Sequence, residues 1–119
     1  MTEEQLTGAT LDALYQVIDQ RRDGDPNTSY TAKLFAKGPA WVAQRTGEEA
    51  IETVVAACTQ SSKELAEESA DLLYHLLALW AACGLEPEAV WRALDARRGT
   101  SGHQEESGRK KGQWEGRSI

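Results

Sequence analysis

The chain has few cysteines, no long apolar run and no overall excess of basic residues. Its two cysteines, Cys58 and Cys83, lack the spacing of a metal site, and we expect both to be reduced core residues of a cytosolic protein. The longest apolar run, near Leu76 to Cys83, is too short to cross a bilayer, and no signal peptide is visible. We therefore expect a cytoplasmic protein that does not associate with membranes.

The charge is negative overall and unevenly distributed. The formal net charge is −6. Residues 1–96 carry 7 Lys/Arg and 16 Asp/Glu, a net charge of −9, whereas residues 97–119 carry 6 and 3, a net charge of +3. An acidic body argues against general nucleic-acid binding, while the basic end could meet a small anion such as a phosphorylated substrate.

Helical spacing of apolar residues predicts an all-α fold of about five helices. We expect one helical domain over residues 1–96 and a polar, Gly-rich, basic tail over residues 97–119. Thr10, Ser29 and Ser61 are predicted N-caps, and Pro39 and Pro87 are predicted first helical residues. Helices three and four should form a central antiparallel pair. One short helix layer cannot cover both apolar faces of that pair, so a homodimer should complete the bundle.

Two acidic groups lie on these two central helices. Helix three carries Glu48, Glu49 and Glu52, and helix four carries Glu68 and Asp71. Residues three or four apart share a helix face, and a short turn places the two groups at similar height. Burying unpaired carboxylates costs several kcal/mol per charge, and a divalent cation such as Mg²⁺, Mn²⁺ or Ca²⁺ removes that cost. A solvated acidic face is the alternative, but the repeated spacing beside apolar residues favours a metal site.

A carboxylate-held divalent cation binds phosphate oxygens and acidifies water, which suggests phosphoanhydride hydrolysis. The residues Gly47-Glu48-Glu49-Ala50-Ile51-Glu52, followed by Glu68-Ser69-Ala70-Asp71, resemble the E-E-x-x-E and E-x-x-D signature of the all-α nucleotide pyrophosphohydrolases, the MazG-like superfamily. Residues 29–34, 70–77 and 97–102 narrow the resemblance to the phosphoribosyl-ATP pyrophosphohydrolases of histidine biosynthesis. The similarity covers about Leu11 to Lys111.

This resemblance implies Mg²⁺-dependent cleavage between the α and β phosphates of phosphoribosyl-ATP, yielding phosphoribosyl-AMP and pyrophosphate. It implies the metal ligands Glu49, Glu52, Glu68 and Asp71, and the catalytic residues Glu48, Glu49 and Glu52. The candidate substrate-binding residues are Lys33, Lys37, Arg45, Arg97, Arg98 and Arg109. The chain departs from the family at Gln44-Arg45-Thr46, where a Lys-rich segment is usual. It carries no cyclohydrolase domain, so we expect it to perform one step.

Other interpretations stay open at this point. A housekeeping pyrophosphohydrolase acting on dUTP, dCTP or abnormal nucleotides fits the acids but not the flanking stretches. A non-catalytic helical dimerisation module predicts no metal dependence. A di-iron bundle needs Glu-x-x-His, yet Leu72 stands three residues before His75. A lone histidine on an apolar helix face is more often a hydrogen-bonded core residue than a ligand or base, and we expect the same of His75. Gly47 indicates either close helix packing or close approach of a ligand or backbone.

Overall fold

The computed structural model describes residues 6–59 and 61–99, and it forms two compact units, one ending at Pro87 and one beginning at Glu88. The described residues are helical and contain no strand, which confirms the predicted all-α class. No helix among them is long and apolar enough to span a membrane. The helices are α1 (Ala9–Gln20), α2 (Tyr30–Lys37), α3 (Pro39–Thr59), α4 (Ser62–Ala82) and α5 (Pro87–Arg98).

Local hydrogen bonds explain where the helices begin. The Ser29 hydroxyl accepts a bond from the Ala32 N–H at 3.1 Å, and the Ser61 hydroxyl accepts one from the Glu64 N–H at 3.2 Å, as the sequence predicts. Gly38 follows α2 with φ of 92°, a conformation that glycine adopts without steric cost, so α3 can start at once. The prediction for Thr10 is wrong, because Gly8 occupies the N-cap and Thr10 lies inside α1.

The first unit is organised around the predicted antiparallel pair α3 and α4. Helix α1 packs against α4, and α2 packs across both members of the pair. Side chains from all four helices meet in one buried cluster, which excludes water and fixes the relative positions of α2, α3 and α4. Its members are Tyr15, Ile18, Leu34, Val42, Leu77, Ala78 and Ala81.

The two cysteines are free thiols, but both are exposed, so the prediction that they are core residues is wrong. The buried residues of α3 are Val42, Glu49 and Ala56, which recur at every seventh position. Cys58 stands about 200° around the helix from Ala56 and therefore lies on the opposite side. Cys83 follows the last residue of α4. Apolar neighbours in sequence indicate a helix, but they do not fix which side of it a cysteine occupies.

Candidate active site

Carboxylates from α3 and α4 converge on one point. One carboxylate oxygen each from Glu49, Glu68 and Asp71 lies within 4.8 Å of the others. The Thr53 hydroxyl is 2.8 Å from the Glu49 carbonyl oxygen and 3.3 Å from that of Glu68, so it links the two helices at this level. The prediction that the two acidic groups face each other at similar height is confirmed.

Two oxygens in this group are buried without a hydrogen-bond partner. Glu49 is only 5% exposed. Among the described residues, neither the Glu49 Oε2 nor the Glu68 Oε2 has a partner. A buried carboxylate oxygen with no partner forfeits its hydration without compensation. The donor set consists of hard oxygen atoms, so these positions fit a divalent cation such as Mg²⁺.

The charges in the cluster repel one another. Burial raises the pKa of Glu49, and a contact with Glu52 raises it further. Desolvation likewise raises the pKa of Glu68, with added repulsion from Glu52 and Asp71. Glu52 is not one of the three converging carboxylates, but its effect on both neighbours places its charge at the same site. In the absence of a cation, the arrangement therefore disfavours the fully ionised state.

Arg45 lies on the acidic group of α3. Its Nη1 donates to the Glu48 Oε1 at 2.5 Å, and its Nη2 donates to the Glu49 Oε1 at 2.7 Å. Hydrogen bonds with Tyr30 and Glu48 raise the pKa of Arg45 above its ordinary value. The bond from Arg45 lowers the pKa of Glu48. A residue that the sequence assigned to the substrate therefore contacts two of the carboxylates assigned to catalysis.

His75 is a buried residue of α4, and both of its ring nitrogens are hydrogen-bonded. It is 4% exposed. Its Nδ1 is 2.8 Å from the Asp71 carbonyl oxygen, and its Nε2 is 2.9 Å from the Tyr30 hydroxyl. The expectation of a hydrogen-bonded core histidine is confirmed. Sequence reasoning did not single out Tyr30, because it stands 45 positions before His75 and no local pattern signals the contact.

The phosphoribosyl-ATP pyrophosphohydrolase family model matches residues 11–98. The chain belongs to this family. It is 54% identical over 110 residues to the phosphoribosyl-ATP pyrophosphatase of Azospirillum brasilense, covering 92% of this chain and 99% of that protein. The enzyme of the same name from Paramagnetospirillum magneticum is 57% identical over 101 residues, 85% of this chain and 93% of the relative. The enzyme of the same name from Rhodospirillum rubrum is 52% identical over 101 residues, which cover 85% of this chain and 86% of that protein.

The family resemblance also assigned to substrate binding the basic residues Lys33, Lys37, Arg97, Arg98 and Arg109. Lys33 and Lys37 are exposed on α2 and line an open hollow of about 520 Å³ beside Pro26 and Asn27. The Lys37 Nζ lies 5.7 Å from the centre of the Trp41 ring. In the second unit, Arg97 is partly buried and Arg98 forms an ion pair with Asp95. Arg109 lies outside the described residues.

Gly47 directly precedes Glu48 and Glu49, and the space beside its Cα is open. Apart from its two chain neighbours and the nearby backbone of its own helix, a Cβ added at this position would meet no atom of the described residues within 4 Å. Within the single chain, no helix of the described residues packs closely against Gly47, so close packing there does not account for this glycine. The alternative, that the missing side chain leaves room for a ligand beside Glu48, stays a prediction.

Proposed function

We propose that this hydrolase converts phosphoribosyl-ATP to phosphoribosyl-AMP and pyrophosphate, the second step of histidine biosynthesis, with Mg²⁺ held by Glu49, Glu52, Glu68 and Asp71. The observation that carries the proposal is the convergence of Glu49, Glu68 and Asp71 within 4.8 Å, in a chain that belongs to this family. The two unpartnered oxygens of Glu49 and Glu68 supply ligand atoms that no group of the described chain uses.

The proposed roles follow from the surroundings of each carboxylate. Glu49 is buried and Glu68 is partly buried, whereas Asp71 and Glu52 are exposed to solvent. A bound divalent cation supplies charge neutralisation for phosphate oxygens and acidification of water. Glu48 is exposed at the rim, and we assign it the task of orienting the attacking water. We also assign Glu49 and Glu52 to catalysis, because both belong to the acidic group of α3 and both raise the pKa of Glu68.

The substrate is a polyanion and the body of the chain is acidic, so basic side chains must offset repulsion. Arg45 is the best-supported candidate for a phosphate contact, because it lies on the carboxylates themselves. Lys33 and Lys37 lie on the same face of α2 as Tyr30, which contacts Arg45. We assign both lysines to the phosphates as well. We also assign Arg97, Arg98 and Arg109 to the phosphates. Removal of residues from Gly99 onward should then raise KM strongly and lower kcat with little change in folded stability.

We further propose a homodimer. In the single chain, α3 exposes an apolar strip directly beside Glu52, with Ile51 65% and Val54 62% exposed and Val55 next to them. A strip of this kind on a central helix is typical of a surface that another helix layer covers. Sedimentation at micromolar concentration should give a dimer, and Val54→Glu should shift it to monomer. A wild-type monomer under these conditions would contradict the assignment.

The function is tested by pyrophosphate release. Purified protein is supplied with phosphoribosyl-ATP, ATP, dUTP or dCTP, each with Mg²⁺ and with EDTA. The proposal predicts rapid release from phosphoribosyl-ATP alone, and none in EDTA. Preference for dUTP or dCTP would instead identify a housekeeping enzyme of the same superfamily. No release from any nucleotide, together with no effect of metal on stability, would identify a helical dimerisation module.

A further inference from the structure

We propose that Arg45 is an internal cation that holds the carboxylates of α3 in the metal-free protein and competes with the divalent cation for Glu49. Tyr30 and His75 are the positioning residues that keep it there. This inference rests on the proposed function, since it concerns the same carboxylates. The positive charge of Arg45 neutralises part of the negative charge on α3. We expect this pairing to lower the affinity of the carboxylate cluster for a metal ion.

The hydrogen bonds behind Arg45 have fixed directions. The Asp71 carbonyl oxygen can only accept, so the His75 Nδ1 carries the proton and donates at 2.8 Å. In the neutral ring, the Nε2 must then accept, and the Tyr30 hydroxyl donates to it at 2.9 Å. The Tyr30 oxygen is left to accept from the Arg45 Nε at 3.4 Å. The guanidinium is thus anchored on a buried histidine.

The hydrogen bond to Tyr30 distinguishes the Arg45–Glu49 ion pair from an ordinary surface ion pair. Exposed pairs contribute little, because solvent screens them and the side chains stay mobile. Arg92 and Glu88 on α5 form such a pair, with side chains 79% and 71% exposed. Arg45 and Glu49 have the same four-residue separation, but the Glu49 side chain is only 7% exposed and Arg45 has a third contact at Tyr30. The two pairs therefore serve as a matched comparison within one chain.

Competition follows from the atoms involved. The guanidinium stays protonated at all accessible pH values and bonds the Glu49 Oε1, while the Oε2 of the same carboxylate lacks a partner. A divalent cation near Glu49, Glu68 and Asp71 has the same sign of charge as Arg45 and draws on the same carboxylate. Metal binding should therefore weaken the bond between Arg45 and Glu49. The released N–H groups are then available to phosphate oxygens, which arginine can bind bidentately.

The experiment is calorimetric titration of the full-length protein with Mn²⁺ alone, without nucleotide. The variants are Arg45→Gln, Arg45→Lys and Tyr30→Phe, with Arg92→Gln as the matched control. Arg45→Gln should bind Mn²⁺ about tenfold more tightly, as expected for the loss of one charged hydrogen bond. Arg45→Lys and Tyr30→Phe keep the positive charge but loosen its placement, so each should show a smaller gain. Arg92→Gln should match the wild type.

A second measurement separates competition from a purely structural role. In EDTA, Arg45→Gln should unfold at a lower temperature than wild type, because Glu48 and Glu49 lose their counter-charge. Saturating Mg²⁺ should reduce that difference, since the metal then supplies the positive charge beside Glu49. A difference that is undiminished with Mg²⁺ would overturn competition and leave Arg45 as a structural residue.

The outcomes also distinguish this inference from the proposed function. Wild-type Mn²⁺ affinity in both Tyr30→Phe and Arg45→Lys would mean that only through-space charge matters, which overturns the positioning role. Wild-type affinity in Arg45→Gln would overturn the inference as a whole while leaving the metal site intact. Failure of the wild-type protein to bind Mn²⁺ would overturn the proposed metal site and this inference together.

Discussion

Glu48 on α3 and Glu68 on α4 are the same residue type in one site, yet their surroundings are opposite. Glu48 is exposed and accepts a bond from Arg45 at 2.5 Å, which lowers its pKa. Glu68 has a buried Oε2 with no partner in the described chain, and its pKa is raised by desolvation and by repulsion from Glu52 and Asp71. The chain therefore supplies a basic partner to the carboxylates of α3, Glu48 and Glu49, and none of the described residues supplies one to Glu68 on α4.

This difference indicates where binding of an external cation is most favourable. Among the described residues, no ion pair reaches Glu68 or Asp71, whereas Glu48 and Glu49 share the guanidinium of Arg45. A cation that settles near α4 relieves repulsion that the chain does not relieve itself. Functional demand accounts for this asymmetry better than stability does, because pairing all carboxylates internally would leave nothing for a metal to bind.

The largest expected effect is on catalysis, through the unpaired half. Asp71→Asn and Glu68→Gln should each lower the rate of pyrophosphate release from phosphoribosyl-ATP by about a hundredfold or more, since each removes a charge that holds the metal. Circular dichroism should show an unchanged helical fold. Glu67→Gln is the matched control, because Glu67 is an exposed neighbour on the same helix. Equal loss in the control would show that general negative charge, not this geometry, supports turnover.

The next effect is on stability with metal. Mg²⁺ at about 100 times its Kd should raise the free energy of unfolding by about 2.7 kcal/mol, because it binds the folded state alone. For a chain of this size, that corresponds to a rise in Tm on the order of 10 °C. Thermal melts of wild type and Glu68→Gln with Mg²⁺ or EDTA provide the measurement. A Mg²⁺ shift that survives in Glu68→Gln would place the metal elsewhere.

Local pattern was sufficient to predict much of this site. The spacing of Glu49 and Glu52, and of Glu68 and Asp71, determines which carboxylates share a helix face, and a short connection forces the two helices to be antiparallel neighbours. The cap at Ser29 and the start at Pro39 likewise depend on adjacent atoms. Such features are decided within one or two turns of helix, where sequence separation and spatial separation agree.

What sequence reasoning missed depends on contacts between distant segments or on the choice of helix face. The bond between Tyr30 and His75 requires α2 to cross α4, which only the packed core determines. The ion pair of Arg45 and Glu49 has the spacing of a helical pair and could have been found by that rule. The family resemblance instead predicts that Arg45 binds the substrate, so the two predictions concern the same side chain.

A smaller effect should distinguish the two glutamates in the metal-free protein. Glu68→Gln should raise Tm in EDTA, because the carboxylate is disfavoured where it stands and the amide carries no charge. Glu48→Gln should lower Tm, because it removes the partner of Arg45. Both changes preserve side-chain shape, so differential scanning calorimetry of the pair isolates the charge. Shifts of the same sign would show that the two halves of the site are not electrostatically distinct.

The smallest effect is the pH dependence of this contrast, measured in EDTA as the unfolding free energy of each variant relative to wild type. A carboxylate with a raised folded-state pKa, such as Glu68, binds its proton more tightly when folded. Its penalty is fully present at neutral pH and disappears as pH falls towards the ordinary value of 4.5. Glu48 has a lowered pKa, so its contribution is fully present above 4.5 and is lost below that value.

Glu68→Gln should therefore differ from wild type mainly above pH 4.5. Glu48→Gln should differ by a constant amount above that pH and converge with wild type below it. Two curves that change over the same pH range would refute the opposite environments of Glu48 and Glu68.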